Sequence, residues 1–109
     1  MAVYLFTKDN YMAYQDKIEK VSGRKTKEIM IFSLSTCFWC DKVKEFLKEQ
    51  GVEFGVLIVD KLGGAEQQEA VAEMSKYNPD MSFPTIVINN GEKAIVGFDQ
   101  EELTKQING

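Results

Sequence analysis

The two cysteines of this chain, Cys37 and Cys40, stand three positions apart in the run Cys37-Phe38-Trp39-Cys40. The apolar segment Ile29 to Leu34 precedes them and reads as a buried strand, while Val43, Phe46 and Leu47 mark one helical face after them. The pair is therefore expected to open a helix directly after a strand, with Thr36 as the helix cap. The first turn of a helix has N–H groups without partners, and their dipoles favour a nearby anion. A thiolate is such an anion. A free cysteine of pKa about 8.5 is roughly 3% thiolate at pH 7, and lowering that pKa by about two units takes about 2.7 kcal/mol. Asp41 opposes this shift, whereas Lys42 and Lys44 favour it. Residues three apart share one helical face and lie close enough for a disulfide. Cys37, nearer the helix end, is the expected nucleophile towards a substrate disulfide. Cys40, one turn inward, is the expected resolving thiol. Phe38 and Trp39 should surround the pair with apolar surface.

The same two sulfurs have rival uses. The chain contains no histidine, so imidazole ligation and imidazole acid–base chemistry are excluded. A structural zinc site needs four ligands, and one chain offers two thiolates. Two chains could share a metal ion or a [2Fe–2S] cluster through four thiolates, which makes a homodimeric carrier the main alternative. A redox-regulated binding module and an inert buried pair are the other readings.

The elements that must position these residues fit in one domain of 109 residues. No apolar run approaches the roughly 20 residues of a membrane span, so no membrane partner is expected. The net charge of −4 argues against nucleic acid. Met1-Ala2-Val3 lacks the basic start of a secretory signal, so the expected location is cytoplasmic. In that reducing compartment a close cysteine pair is catalytic or metal-binding rather than structural.

Residues 1–28 carry six basic and four acidic residues, against seven and thirteen in residues 29–109. They read as an N-terminal extension: a short strand at Val3–Phe6, then a helix capped by Asp9 or Asn10, with Tyr11, Tyr14, Ile18 and Val21 on one face. From residue 29 the order is β-α-β-α-β-β-α. Val52 to Val59 is β-rich, and Ala65 to Tyr77 is helical until Asn78-Pro79 stops it. Strands at Pro84–Ile88 and Glu92–Phe98 flank the turn Asn89-Asn90-Gly91, and Asp99 caps a closing helix, Gln100–Ile107. A helix joining the first two strands requires a parallel pair, and the tight turn an antiparallel one. The expected fold is α/β: a four-stranded mixed sheet flanked by helices, over residues 29–109.

Three segments in order, Ile31-Phe32-Ser33 running to Cys37-Phe38-Trp39-Cys40, then Ser82-Phe83-Pro84-Thr85, then Val96-Gly97-Phe98-Asp99, resemble glutaredoxins and glutaredoxin-like redoxins of the thioredoxin fold. The resemblance implies a cytoplasmic dithiol–disulfide oxidoreductase serving electron transport and cell redox homeostasis. Cys37 and Cys40 would be catalytic, and Phe38, Trp39, Phe83, Pro84, Gly97 and Asp99 would bind substrate. It also implies a cis peptide bond before Pro84, which leaves the Phe83 backbone free to pair with an extended substrate. The implied partners are disulfide-containing proteins, with a reductase or glutathione as electron donor. A monomer is expected, and no cofactor is required. Two departures weaken glutathione as a ligand. Leu34 stands where the family often has a basic residue, and Val96-Gly97-Phe98-Asp99-Gln100 replaces a more acidic glycine-rich turn.

Overall fold

The computed structural model describes residues 13–108; the expected strand Val3–Phe6, the candidate caps Asp9 and Asn10, and Tyr11 lie outside the described residues. Five strands and three helices follow one another: β1 (Glu19–Val21), β2 (Ile29–Ser33), α1 (Phe38–Glu49), β3 (Phe54–Ile58), α2 (Gly64–Tyr77), β4 (Thr85–Ile88), β5 (Lys93–Val96) and α3 (Gln100–Asn108). The strands form one sheet in the order β1-β3-β2-β4-β5. The β2–β3 pair is parallel, and the other three pairs are antiparallel.

Alternation along the strands divides the core into two layers. Ile31, Val56, Ile86 and Ile88 face one way and pack with Val43, Phe46 and Leu47 of α1 and Leu103 and Ile107 of α3. Phe32, Leu57 and Val87 face the other way and pack with Ala70 and Met74 of α2. Neighbouring residues on a strand point to opposite faces, so a near-continuous apolar run such as Ile29 to Phe32 suits a sheet covered on both sides. The result is a helix–sheet–helix sandwich, as the thioredoxin-like expectation required.

The sheet has a fifth strand that the sequence reading lacked. Residues 13–21 form a 3-10 helix, Ala13–Lys17, and then β1, instead of one continuous helix. Tyr14 and Ile18 do cover a sheet face: Tyr14 is buried and meets the Phe32 ring edge-on at 6.5 Å. Val21 departs from that stripe and packs in the opposite layer. Pairing with the open edge of β3 overrides the local helical spacing. Gly55 permits the approach, because a Cβ there would lie 2.9 Å from the Ile18 Cγ2. At the other edge, Asn89 and Asn90 both adopt positive φ, 50° and 59°, in the turn that joins β4 to β5. That backbone is the one tight hairpins favour.

Candidate active site

The parallel strands end at one pole, where Ser33 of β2 lies beside Ile58 of β3. Because β4 is antiparallel to β2, its start is at the same pole: Thr85 pairs with Phe32 on one side and with Val96 on the other. The loop before α1, the Phe83-Pro84 step and the Val96-Gly97 turn therefore share one edge of the sheet. In open α/β sheets, ligands bind outside the carboxyl ends of the parallel strands.

Cys37 and Cys40 form a disulfide at this edge, with Cα atoms 5.2 Å apart. Their surroundings are unequal. Cys37 is half-buried, whereas Cys40 is completely buried. The helix begins one residue later than expected: Cys37, not Thr36, is the N-cap of α1, with φ −142° and ψ 108°. Its Sγ accepts the Cys40 N–H at 3.2 Å, so the sulfur does what a cap oxygen ordinarily does. Asp41, the acid in the first turn, is drawn into an ion pair with Lys44 at 3.3 Å.

Phe38 and Trp39 project outward, 63% and 55% exposed. Phe38 meets Trp39 edge-on at 5.0 Å, Trp39 stacks on Phe98 at 6.2 Å, and Phe98 reaches Phe46 in the core. The Lys42 Nζ lies 5.2 Å from the centre of the Phe38 ring. An aromatic chain thus joins the start of α1 to the turn after β5. Phe38, Trp39, Val96 beside that turn and Met81 two residues before Phe83 are the large exposed apolar side chains among the described residues.

The Phe83–Pro84 bond is cis, as the resemblance implied. Pro84 is buried and Phe83 half-buried. The Pro84 carbonyl accepts the Gly97 N–H at 2.9 Å, which ties the two loops together. Gly97 has φ +81°, where L side chains are disfavoured, and this turn ends β5 at Val96, short of the expected Phe98. Asp99 caps α3: its Oδ1 accepts the Glu102 N–H at 3.1 Å and its carbonyl the Leu103 N–H at 2.9 Å.

Three further residues shape the edge without having stood out in the sequence. Asn78 is buried, and its Nδ2 donates to the Ser82 carbonyl, the Ser82 Oγ and the Thr85 Oγ1, all at 3.0–3.1 Å. It read as a helix stop, yet it organises the loop that delivers Phe83 and Pro84. Ser35 donates its N–H to the Asp60 Oδ1 at 2.9 Å and its hydroxyl to the Asp60 Oδ2. The Ser35 hydroxyl, then its N–H, hold the Asp60 carboxyl below the usual aspartate range. A serine two residues before a cysteine, and an aspartate 25 residues from that serine, give no short-range signal. Leu34 is half-buried and packs against the α2-side core. Among the described residues, no group of three or more Cys, Asp or Glu side chains is placed to hold a metal ion.

The glutaredoxin family model matches residues 29–92. A glutaredoxin-like 8.6 kDa protein of the rubredoxin operon of Clostridium pasteurianum is 35% identical over 80 residues, 72% of this chain and 96% of that protein. Among solved structures, the glutaredoxin from Methanosarcina mazei Go1 is 44% identical, with a TM-score of 0.79, covering 86% of this chain and 90% of that one. Methanoredoxin from Methanosarcina acetivorans is 39% identical, also with a TM-score of 0.79, covering 84% of this chain and 96% of that one.

Proposed function

The chain belongs to the glutaredoxin family, and on that basis we propose that it is a dithiol–disulfide oxidoreductase that reduces protein or mixed disulfides through Cys37 and Cys40. The observation that carries this reading is the inequality of the two sulfurs: Cys37 is half-buried at a helix N-cap, and Cys40 is sealed one turn inward. In the reduced protein the Cys40 N–H and the first-turn dipoles favour the Cys37 thiolate. That thiolate attacks one sulfur of the substrate disulfide. The substrate S–S bond breaks, the leaving sulfur takes a proton, and a mixed disulfide through Cys37 remains. Cys40 then loses its proton and attacks the Cys37 sulfur, releasing the second substrate thiol. Two electrons and two protons pass from the cysteine pair to the substrate. A reductase or glutathione restores the dithiol.

The rim favours protein substrates. Phe38 and Trp39 present apolar surface next to Cys37, and Val96 adds more at the same sheet edge, which suits a polypeptide segment better than a charged tripeptide. Leu34 offers no cation to a carboxylate, and the Asp99 carboxylate is already engaged as a helix cap. Phe83, Pro84 and Gly97 belong to loops at the same sheet edge as the cysteines, and the Phe83 backbone would supply a strand-like edge for an extended substrate. The working location is the cytoplasm, the working form a monomer. The test is reduction of insulin disulfides by the purified protein, with glutathione and thioredoxin reductase as parallel electron donors. Turnover with either donor is expected. A protein that reduces no disulfide, and that carries visible absorbance after anaerobic purification, would be a cluster carrier instead.

A further inference from the structure

We infer that Asp60, acting through Ser35, is a positioning residue for Cys37: its carboxylate fixes the turn that ends in the cysteine N-cap. The inference rests on the reading of Cys37 as the nucleophile. Three residues, Leu34 to Thr36, separate β2 from Cys37. Both hydrogen-bond donors of the middle one go to a single carboxylate: the Ser35 N–H to Oδ1 at 2.9 Å, and its hydroxyl to Oδ2. Asp60 is itself held firmly. It lies in the 3-10 turn Val59–Lys61, anchored in the core by buried Val59. The Val59 carbonyl accepts the Leu62 N–H at 3.1 Å and the Gln67 Nε2 at 3.0 Å, which ties that turn to α2. Bonded contacts thus run from α2, through Asp60 and Ser35, to within two residues of the sulfur.

A stability role does not explain this clamp. Ser35 and Asp60 are both exposed, where water competes for the same hydrogen bonds. Nor does charge. Among the described residues, no lysine or arginine nitrogen lies within ion-pair distance of the Asp60 carboxylate, and the adjacent Lys61 favours it less than the two Ser35 hydrogen bonds do. An anion near Cys37 disfavours a second anion there, so Asp60 as a bare charge would hinder the thiolate. Geometry gives the opposite sign. With both oxygens committed, the turn holds Cys37 at extended cap angles, where its sulfur receives the Cys40 N–H.

The two signs give the test. The rate of Cys37 alkylation by iodoacetamide is measured against pH in the reduced Cys40→Ser protein, where one thiol remains. Ser35→Ala and Asp60→Ala are each expected to slow alkylation at pH 7 by about fivefold, the upper end for an exposed charge-assisted contact. Each should also move the pH profile in the alkaline direction. The double variant should be no slower than either single one, because both break the same clamp. Ser35→Thr keeps the hydroxyl and should keep the rate. Unchanged rates in both single variants, faster alkylation in Asp60→Ala, or effects that multiply in the double variant would overturn the inference. Alkylation needs no disulfide substrate. A wild-type protein that alkylates as expected but reduces no disulfide would therefore sink the proposed activity and leave the positioning role standing.

Discussion

Cys37 and Cys40 differ by one helical turn, and the proposed division of labour between them rests on that difference. Cys37→Ser is expected to abolish disulfide reduction, since the buried Cys40 cannot reach an external disulfide. Cys40→Ser should accumulate a mixed disulfide at Cys37, identified by mass spectrometry of the trapped species. Retained turnover in Cys37→Ser, with a trap through Cys40, would reverse the assignment. At Leu34, substitution by lysine places a cation where the family often has one. Glutathione binding should strengthen by about 0.5–1 kcal/mol, the scale of a partly exposed ion pair. Amide-shift titrations of both proteins with reduced glutathione read this directly; tight wild-type binding that the substitution leaves unchanged would mean the groove finds its anion contact elsewhere. The cysteine spacing and the Asp99 cap were legible in the sequence because both depend on residues a few positions apart. The cap at Cys37 was not: a hydroxyl neighbour, Thr36, is the better capping residue by type, and only the backbone shows that the sulfur takes the place.

At the scale of elements, the site hangs on three loops, each with its own fastening. Asn78 holds the loop before Pro84 by three hydrogen bonds from one buried amide. Asn78→Ala removes all three of these bonds and leaves the Thr85 hydroxyl, which donates to the Ser82 carbonyl at 2.8 Å, as the remaining side-chain fastening of that loop; it should cost about 1–3 kcal/mol in denaturant unfolding. Gly97→Ala meets no neighbour within 4 Å, so its cost is confined to the φ of +81°, about 1–2 kcal/mol. A much larger loss would mean that the turn is packed and not only bent. The Ser35–Asp60 clamp carries a pH signature. The Asp60 carboxyl is depressed in the folded protein, so the clamp is fully present above the ordinary aspartate pKa and is lost as pH falls through the lowered one. The Ser35 amide resonance should therefore titrate below the usual aspartate range, and the transition should vanish in Asp60→Asn. Helices α1 to α3 and strands β2 to β5 were readable from helical spacing, apolar runs and turn residues. Strand β1 was not, because three residues carry no period, and their partner, the edge of β3, lies over 30 residues away.

As a whole molecule, the protein is a two-layered core with a disulfide at one edge of its sheet. The disulfide closes a very short loop, and in a chain-entropy picture such a loop contributes only about 2 kcal/mol. Thirteen residues in one core cluster and seven in the other hold the sandwich without it. The reduced protein should keep its far-UV circular dichroism and lose little in its unfolding midpoint, as the proposed cycling between the two states would require. The resemblance of three short segments pointed to the architecture correctly, since strand starts, turns and the cysteine pair are local features. It did not extend to the Ser35–Asp60 and Trp39–Phe98 contacts, which join residues 25 and more positions apart and form only when the sheet brings its edge together. The central claim is that Cys37 and Cys40 exchange electrons with a disulfide as a pair. Fully reduced protein mixed with one equivalent of a peptide disulfide, without any other reductant, tests it most directly by mass spectrometry. The account predicts that the protein loses two hydrogen atoms as it forms the Cys37–Cys40 bond, while two peptide thiols appear for each protein oxidised. A protein that stays fully reduced beside an intact peptide disulfide would contradict it.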